Sequence, residues 1–131
     1  MTLVLDASAI VSWMMPDEGW IGLDQIAAGH DQLIAPWLLW SELRNVLLVN
    51  ERRGRLAPGS TERSVQRFDM LGVVYDGGMS SNGTIDLARR HGLTVYDATY
   101  LECALRHGAD IATRDTALFR AASDEGLRVH R

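Results

Sequence analysis

Asp6, Glu42, Asp97 and Asp115 are carboxylates at positions where a carboxylate costs energy. Glu42 lies between Leu39 and Val46 at i+3 and i+4 spacing, on the apolar stripe that carries Leu43. Asp97 precedes Leu101 and Ala104 at i+4 and i+7; Asp115 precedes Leu118, Phe119 and Ala122 at i+3, i+4 and i+7. Helical geometry points all three acids inward. Asp6 follows Leu3-Val4-Leu5 directly, at the carboxyl end of a buried strand, where open parallel sheets hold their ligands. Asp115 follows Ile111-Ala112-Thr113 in the same way. An unpaired buried carboxylate must find a partner or take up a proton, and four together demand a cation. Arg44 and Arg114 are the nearest bases, but each adjoins an inward acid and so points away from it. Mg²⁺ or Mn²⁺ suits such a set, because hard ions take oxygen ligands and retain several waters. Zinc is disfavoured, since the histidines at 30, 91, 107 and 130 are scattered without zinc-like spacing.

Three of the acids also have local structural roles open to them. Asp97 fits the third position of a capping box that starts at Thr94, Asp115 fits the cap of the helix after it, and Asp6 fits a turn residue capping a helix that begins near Ser8. Glu42 is mid-helix and has no such role. The conjunction of the four therefore carries the argument.

The elements that must position these residues alternate between strands and helices. Residues 2–5 read as a buried strand, followed by helices over Ala9 to Met15 and Asp17 to Ala28, with Pro16 and Gly29 as punctuation. Gln32 to Ala35 is a short strand stopped by Pro36, and Leu38 to Arg53 a helix closed by Gly54. A helix over Ser60 to Leu71, a strand over Gly72 to Tyr75 and a helix over Ser80 to His91 come next. Thr94 opens a helix ending near Gly108; Asp110 to Thr113 is a strand, Thr116 to Asp124 a helix and Leu127 to His130 a last strand. Strands separated by helices predict a parallel sheet covered on both faces. The segment from Gly77 to Gly83 reads as a strand-to-helix loop without identifiable chemistry.

Composition bounds the rest. The 131 residues, 47% of them hydrophobic, predict one domain over residues 1–131, with no tail, linker or repeat. No apolar run approaches the ~20 residues of a membrane span, and a start lacking the basic region of a secretory signal predicts a cytoplasmic protein. The single Cys103 forms no internal disulfide and reads as a small core residue. All 13 positive charges are arginine, so a catalytic lysine is excluded. The net charge of −4 argues against a nucleic-acid partner unless several carboxylates bind metal. Arg52, Arg53 and Arg55 form the densest positive cluster and could guide RNA, although a solvated helix end accounts for them equally; Arg89 and Arg90 read as surface residues. Of the tryptophans at 13, 20, 37 and 40, Trp13 and Trp40 sit at helical core spacing, so core or dimer packing is expected.

The chain resembles a known family, the PIN domains, and within it the VapC toxins of bacterial toxin–antitoxin pairs. The resemblance rests on Val4-Leu5-Asp6-Ala7-Ser8-Ala9, on Ala35-Pro36 leading to Ser41-Glu42-Leu43, on Tyr96-Asp97-Ala98-Thr99-Tyr100-Leu101-Glu102-Cys103-Ala104, and on Ala112-Thr113-Arg114-Asp115-Thr116-Ala117-Leu118. Each piece is short, but their order spans the full chain. The resemblance implies a three-layer α/β/α fold with a central five-stranded parallel sheet, and hydrolysis of RNA with Mg²⁺ or Mn²⁺ held by Asp6, Glu42, Asp97 and Asp115. Ser8 and Thr113 would be hydroxyl partners that orient the acids. It also implies a homodimer and a small antitoxin protein that blocks the cleft. Metal-assisted hydrolysis needs no covalent enzyme intermediate, in keeping with the absence of lysine and of a nucleophile motif with a partnered histidine.

Three rival readings remain. A phosphoacceptor α/β domain would also use a strand-end aspartate, but normally needs a lysine, and its phosphatase version wants a second acid where Ser8 stands. An inactive PIN binding module is disfavoured by the presence of all four acids. A PIN nuclease of RNA processing or of structured DNA keeps the fold and changes only the substrate.

Overall fold

The computed structural model describes residues 1–15, 17, 20 and 22–131. Its strands are β1 (Thr2–Leu5), β2 (Gln32–Pro36), β3 (Val74–Asp76), β4 (Asp110–Ala112) and β5 (Val129–His130). All pair in parallel, in the order β3-β2-β1-β4-β5. The helices are α1 (Ala7–Met14), α2 (Gly22–Ala28), α3 (Leu38–Arg52), α4 (Ser60–Asp69), α5 (Ser81–His91), α6 (Val95–His107) and α7 (Thr116–Asp124). The expected three-layer fold is therefore the observed one.

β1 is the centre of the sheet because Leu3, Val4 and Leu5 are fully buried, and a strand covered on both faces must be continuously apolar. α6 packs across β1, β2 and β4, flanked by α5 and α7, while α1, α3 and α4 pack together. Leu39, Leu43 and Leu47 of α3 and Ala98, Leu101 and Ala104 of α6 are likewise fully buried. The chain leaves β1 toward β2 and β3 on one side, then returns to β4 and β5 on the other. This reversal opens a crevice at the carboxyl ends of β1 and β4, the usual ligand position in such sheets.

Several boundaries differ from the sequence expectation for local reasons. α1 starts at Ala7, two residues early, because Asp6 caps it. The third strand begins at Val74 because Gly72, at φ +71, turns the chain after α4, which itself stops at Asp69. The second helix, expected from Asp17, is described from Gly22; Pro16, Glu18, Gly19 and Ile21 lie outside the described residues. The last strand shortens to Val129–His130. Of the core or dimer packing expected for Trp40, the core is excluded: the residue is 44% exposed, with Arg44 lying over its ring at 4.0 Å. Cys103 is buried as expected. No helix among the described residues is long and apolar enough to cross a membrane.

Candidate metal-dependent nuclease site

Each acid reaches the crevice from a different element. Asp6 leaves β1 and caps α1: its Oδ1 accepts the Ala9 backbone N–H at 2.9 Å and the Ser8 hydroxyl at 2.7 Å. Its Oδ2 accepts the Thr113 hydroxyl at 2.6 Å. Asp115 leaves β4 and caps α7 through Oδ2, which accepts the Leu118 N–H at 2.8 Å. Asp97 stands in the first turn of α6, where its backbone N–H meets the capping Thr94 hydroxyl at 3.1 Å. Glu42 stands in the second turn of α3, its Oε1 accepting the Tyr100 hydroxyl at 2.6 Å.

Cap and ligand roles are thus compatible rather than exclusive. The cap at Asp115 occupies one carboxylate oxygen, and the cap at Asp97 uses only the backbone N–H. Asp6 is the most constrained of the four, with both oxygens hydrogen-bonded and only 4% of its surface exposed.

Ser8 and Thr113 act as one hydroxyl pair around Asp6. Each hydroxyl proton is directed to an Asp6 oxygen, so the 3.2 Å approach of the two hydroxyl oxygens has no proton left to fill it. Each oxygen in turn accepts a backbone N–H: Ser8 from Arg114 at 2.9 Å and Thr113 from Asp115 at 3.0 Å. Thr113 is fully buried, and this network locks the start of α7 against the end of β1.

The acids share one negative field. Burial, aided by the charge of Asp115 and opposed by its hydrogen bonds, pushes the Asp6 carboxyl up to about 6. Burial and Asp115 likewise raise Asp97, with Thr94 opposing. The phenol of Tyr100 is driven far above its ordinary value by burial, by its hydrogen bond to Glu42 and by the charges of Glu42, Asp6 and Asp97. Among the described residues no arginine or histidine forms an ion pair with any of the four. Arg44 stacks on Trp40 and Arg114 over Trp20 at 5.3 Å, as their places beside inward acids required.

Carboxylates gathered without a basic partner fit a hard divalent cation. Their spacing is loose: the trios of ligand atoms within 4.8 Å of one another are found elsewhere among the described residues. An ion that keeps much of its water shell, as Mg²⁺ does, tolerates such spacing.

Tyr100 is the residue that inspection of the acids alone misses. It follows Asp97 by three residues on α6 and so shares its face, a signal visible in the spacing. Tyr100→Phe keeps the packing and removes the donor to Glu42. It is expected to cost about 1 kcal/mol, because half-buried Glu42 regains water in exchange, and to slow cleavage about tenfold. Thermal melts and single-turnover rates check both figures.

Arg52 and Arg53 are exposed at the far end of α3, roughly 15 Å from Glu42 at 1.5 Å per residue. Arg55 is held by Asp17 at 2.8 Å and Asn50 at 3.1 Å. Arg114 and Arg131 are nearer to the acids. Arg114 is bonded through its backbone to Ser8, and the Arg131 guanidinium donates to Thr116 Oγ1 at 3.0 Å.

A family model for the PIN domain matches residues 3–124. The chain belongs to the PIN-domain family. This PIN domain is of the VapC type: it is 32% identical over 122 residues to Ribonuclease VapC3 of Pyrobaculum aerophilum, covering 90% of the chain and 92% of that relative. Solved structures share the fold. PAE2754 from Pyrobaculum aerophilum matches with a TM-score of 0.75 and 23% identity, over 98% of this chain and 83% of the other. FitAcB from Neisseria gonorrhoeae gives 0.66 and 20%, over 98% and 96%. VapBC2 from Rickettsia felis, bound to a DNA fragment from their promoter, gives 0.65 and 14%, over 99% and 98%.

Proposed function

We propose that the protein is a metal-dependent endoribonuclease acting as the toxin of a toxin–antitoxin pair. The observation that supports this reading is the mutual repulsion of Asp6, Asp97 and Asp115, with Glu42 tied to them through Tyr100 and no arginine or histidine ion-paired to any of the four among the described residues. Similarity to a VapC ribonuclease along nearly the whole chain supports it.

Asp6, Glu42, Asp97 and Asp115 would hold Mg²⁺ or Mn²⁺. When bound, the ion supplies a lowered pKa for attacking water and neutralises charge developing on the phosphate. The chain's own part is to keep the carboxylates ionised and aimed. Thr113 and Ser8 fix the Asp6 oxygens, and Tyr100 fixes Glu42. Arg114, exposed with its guanidinium over Trp20, would have to swing from that ring to meet the phosphate backbone, with Arg52, Arg53 and Arg55 as a more distant approach surface. Trp37 and Trp40 at the start of α3 are about half exposed, one face of Trp37 stacked on Tyr75 and one of Trp40 covered by Arg44, so only their opposite faces would serve unpaired bases.

The homodimer and the antitoxin belong to the same proposal. Met79, Ile85 and Val95, all exposed, surround a cleft of about 510 Å³ between α5 and α6, an apolar face that a second copy would cover.

The test is cleavage of a mixed single-stranded RNA pool by purified protein. Cuts are expected with millimolar Mg²⁺ or Mn²⁺ and none in EDTA. Equal cleavage in EDTA, or intact RNA with both ions, would overturn the proposal.

A further inference from the structure

The histidines that look scattered in sequence are not scattered in space. His30, between α2 and β2, and His130, in β5, both direct Nε2 at one oxygen of Asp110, the first residue of β4. The distances to Asp110 Oδ2 are 2.8 Å for His30 and 3.0 Å for His130. The two rings meet edge to face, 5.4 Å between centroids, and the three ligand atoms all lie within 4.8 Å of one another. The group is well shielded, with side-chain exposures of 6% for His30, 10% for Asp110 and 17% for His130.

The tautomer of His30 is set by its other side. Its Nδ1 lies 2.6 Å from the Ile26 carbonyl oxygen, which can only accept, so Nδ1 carries a proton. In the neutral ring Nε2 is then a lone pair aimed at a carboxylate, so either a second proton or a metal ion must lie between them. A metal-bound histidine typically has this form, with one nitrogen donating to a backbone carbonyl and the other facing the ion. Elsewhere in the chain a comparable carboxylate is neutralised by a base: Asp76 is bonded to Arg106. No arginine is paired with Asp110 among the described residues.

We propose that His30, Asp110 and His130 form a zinc-binding site that clamps the edge strand β5 and the α2–β2 connection onto β4. Two imidazoles and one carboxylate are a usual zinc donor set, leaving a fourth position for water. Separations of 2.8 and 3.0 Å need widen only slightly to admit an ion with metal–ligand bonds of about 2.0–2.2 Å. The site is separate from the four acids: Asp110 pairs in register with Leu3, three residues and therefore roughly 10 Å along β1 from Asp6. β5 has only two residues and a single neighbouring strand, so a cross-link there has much to hold.

The experiment adds Zn²⁺ or Co²⁺ alone to the full chain and to Asp97→Asn, His30→Gln and His130→Gln. The expected result is one tightly bound ion at this site, beside any weaker one among the acids, with a tetrahedral Co²⁺ spectrum and a melting temperature raised about 10 °C at a hundredfold excess over Kd. These effects should persist in Asp97→Asn and disappear in both histidine variants. In the parent chain, Zn²⁺ should also move the Nε2 nitrogen resonances of both histidines to metal-bound values, which decides the matter even if a variant fails to fold. Unmoved resonances would overturn the proposal and leave the cluster a proton-held ion pair. Loss of binding in Asp97→Asn with retention in the histidine variants would equally overturn it, placing the ion among the acids.

Discussion

Asp6→Asn and Asp97→Asn are each expected to lower RNA cleavage at least about a hundredfold while leaving the metal-free protein as stable as the parent or more so. Loss of a group that merely supports a metal ligand typically costs 10–100-fold, and these variants remove proposed ligands themselves. Stability moves the other way because the charge is unwelcome in the ion-free fold. Burial raises the Asp6 and Asp97 carboxyls, and Asp115 repels both. Asparagine at position 6 still accepts the Ala9 N–H that caps α1, and at position 97 the backbone N–H bond to Thr94 is untouched. The check pairs cleavage rates at saturating Mn²⁺ with thermal melts in EDTA. Variants that cut within about threefold of the parent would remove these residues from the site.

The second large effect is a stability that falls with rising pH. The Asp6 carboxyl titrates at about 6 when folded, against 3.8 as its ordinary value. Between those values the folded chain holds a proton that the unfolded chain has released, so stability declines from about pH 3.8 to 6 and levels off above. A shift of about two units corresponds to on the order of 3 kcal/mol. Asp97 adds a contribution of the same sign. Asp76, held down at about 2 by its hydrogen bond from Arg106, acts with the opposite sign but only below 3.8. Subtracting the profile of Asp6→Asn from that of the parent isolates the decline. Because ligands must be deprotonated, stabilisation by Mn²⁺ should grow across the same window. A difference profile flat from pH 4 to 7 would show that Asp6 is not protonated at the values its burial implies.

The sequence made the fold legible because its periods were clean. Leu3-Val4-Leu5 could only be a strand buried on both faces, and Leu39, Leu43 and Leu47 could only be the inner stripe of a helix. The acids were legible as intrusions into those patterns, Glu42 most clearly. For Trp40 spacing left core and dimer packing both open, because it marks a face without saying how far the core extends along it; within the first turn of α3 the ring meets solvent. Tyr100 could have been read from its distance to Asp97. The meeting of His30, Asp110 and His130 could not, because it depends on how strands from distant parts of the chain are ordered in the sheet. Local spacing carries no information about that order.

The four acids are contributed by residues 6, 42, 97 and 115, and the network that steadies Asp6 runs through Thr113. A chain emerging from the ribosome therefore holds only fragments of the proposed site until β4 has docked beside β1 and α7 has formed on its cap. Contacts so far apart along the chain are among the last to be established. On the proposed function, competence to cut would arrive only with completion of the fold.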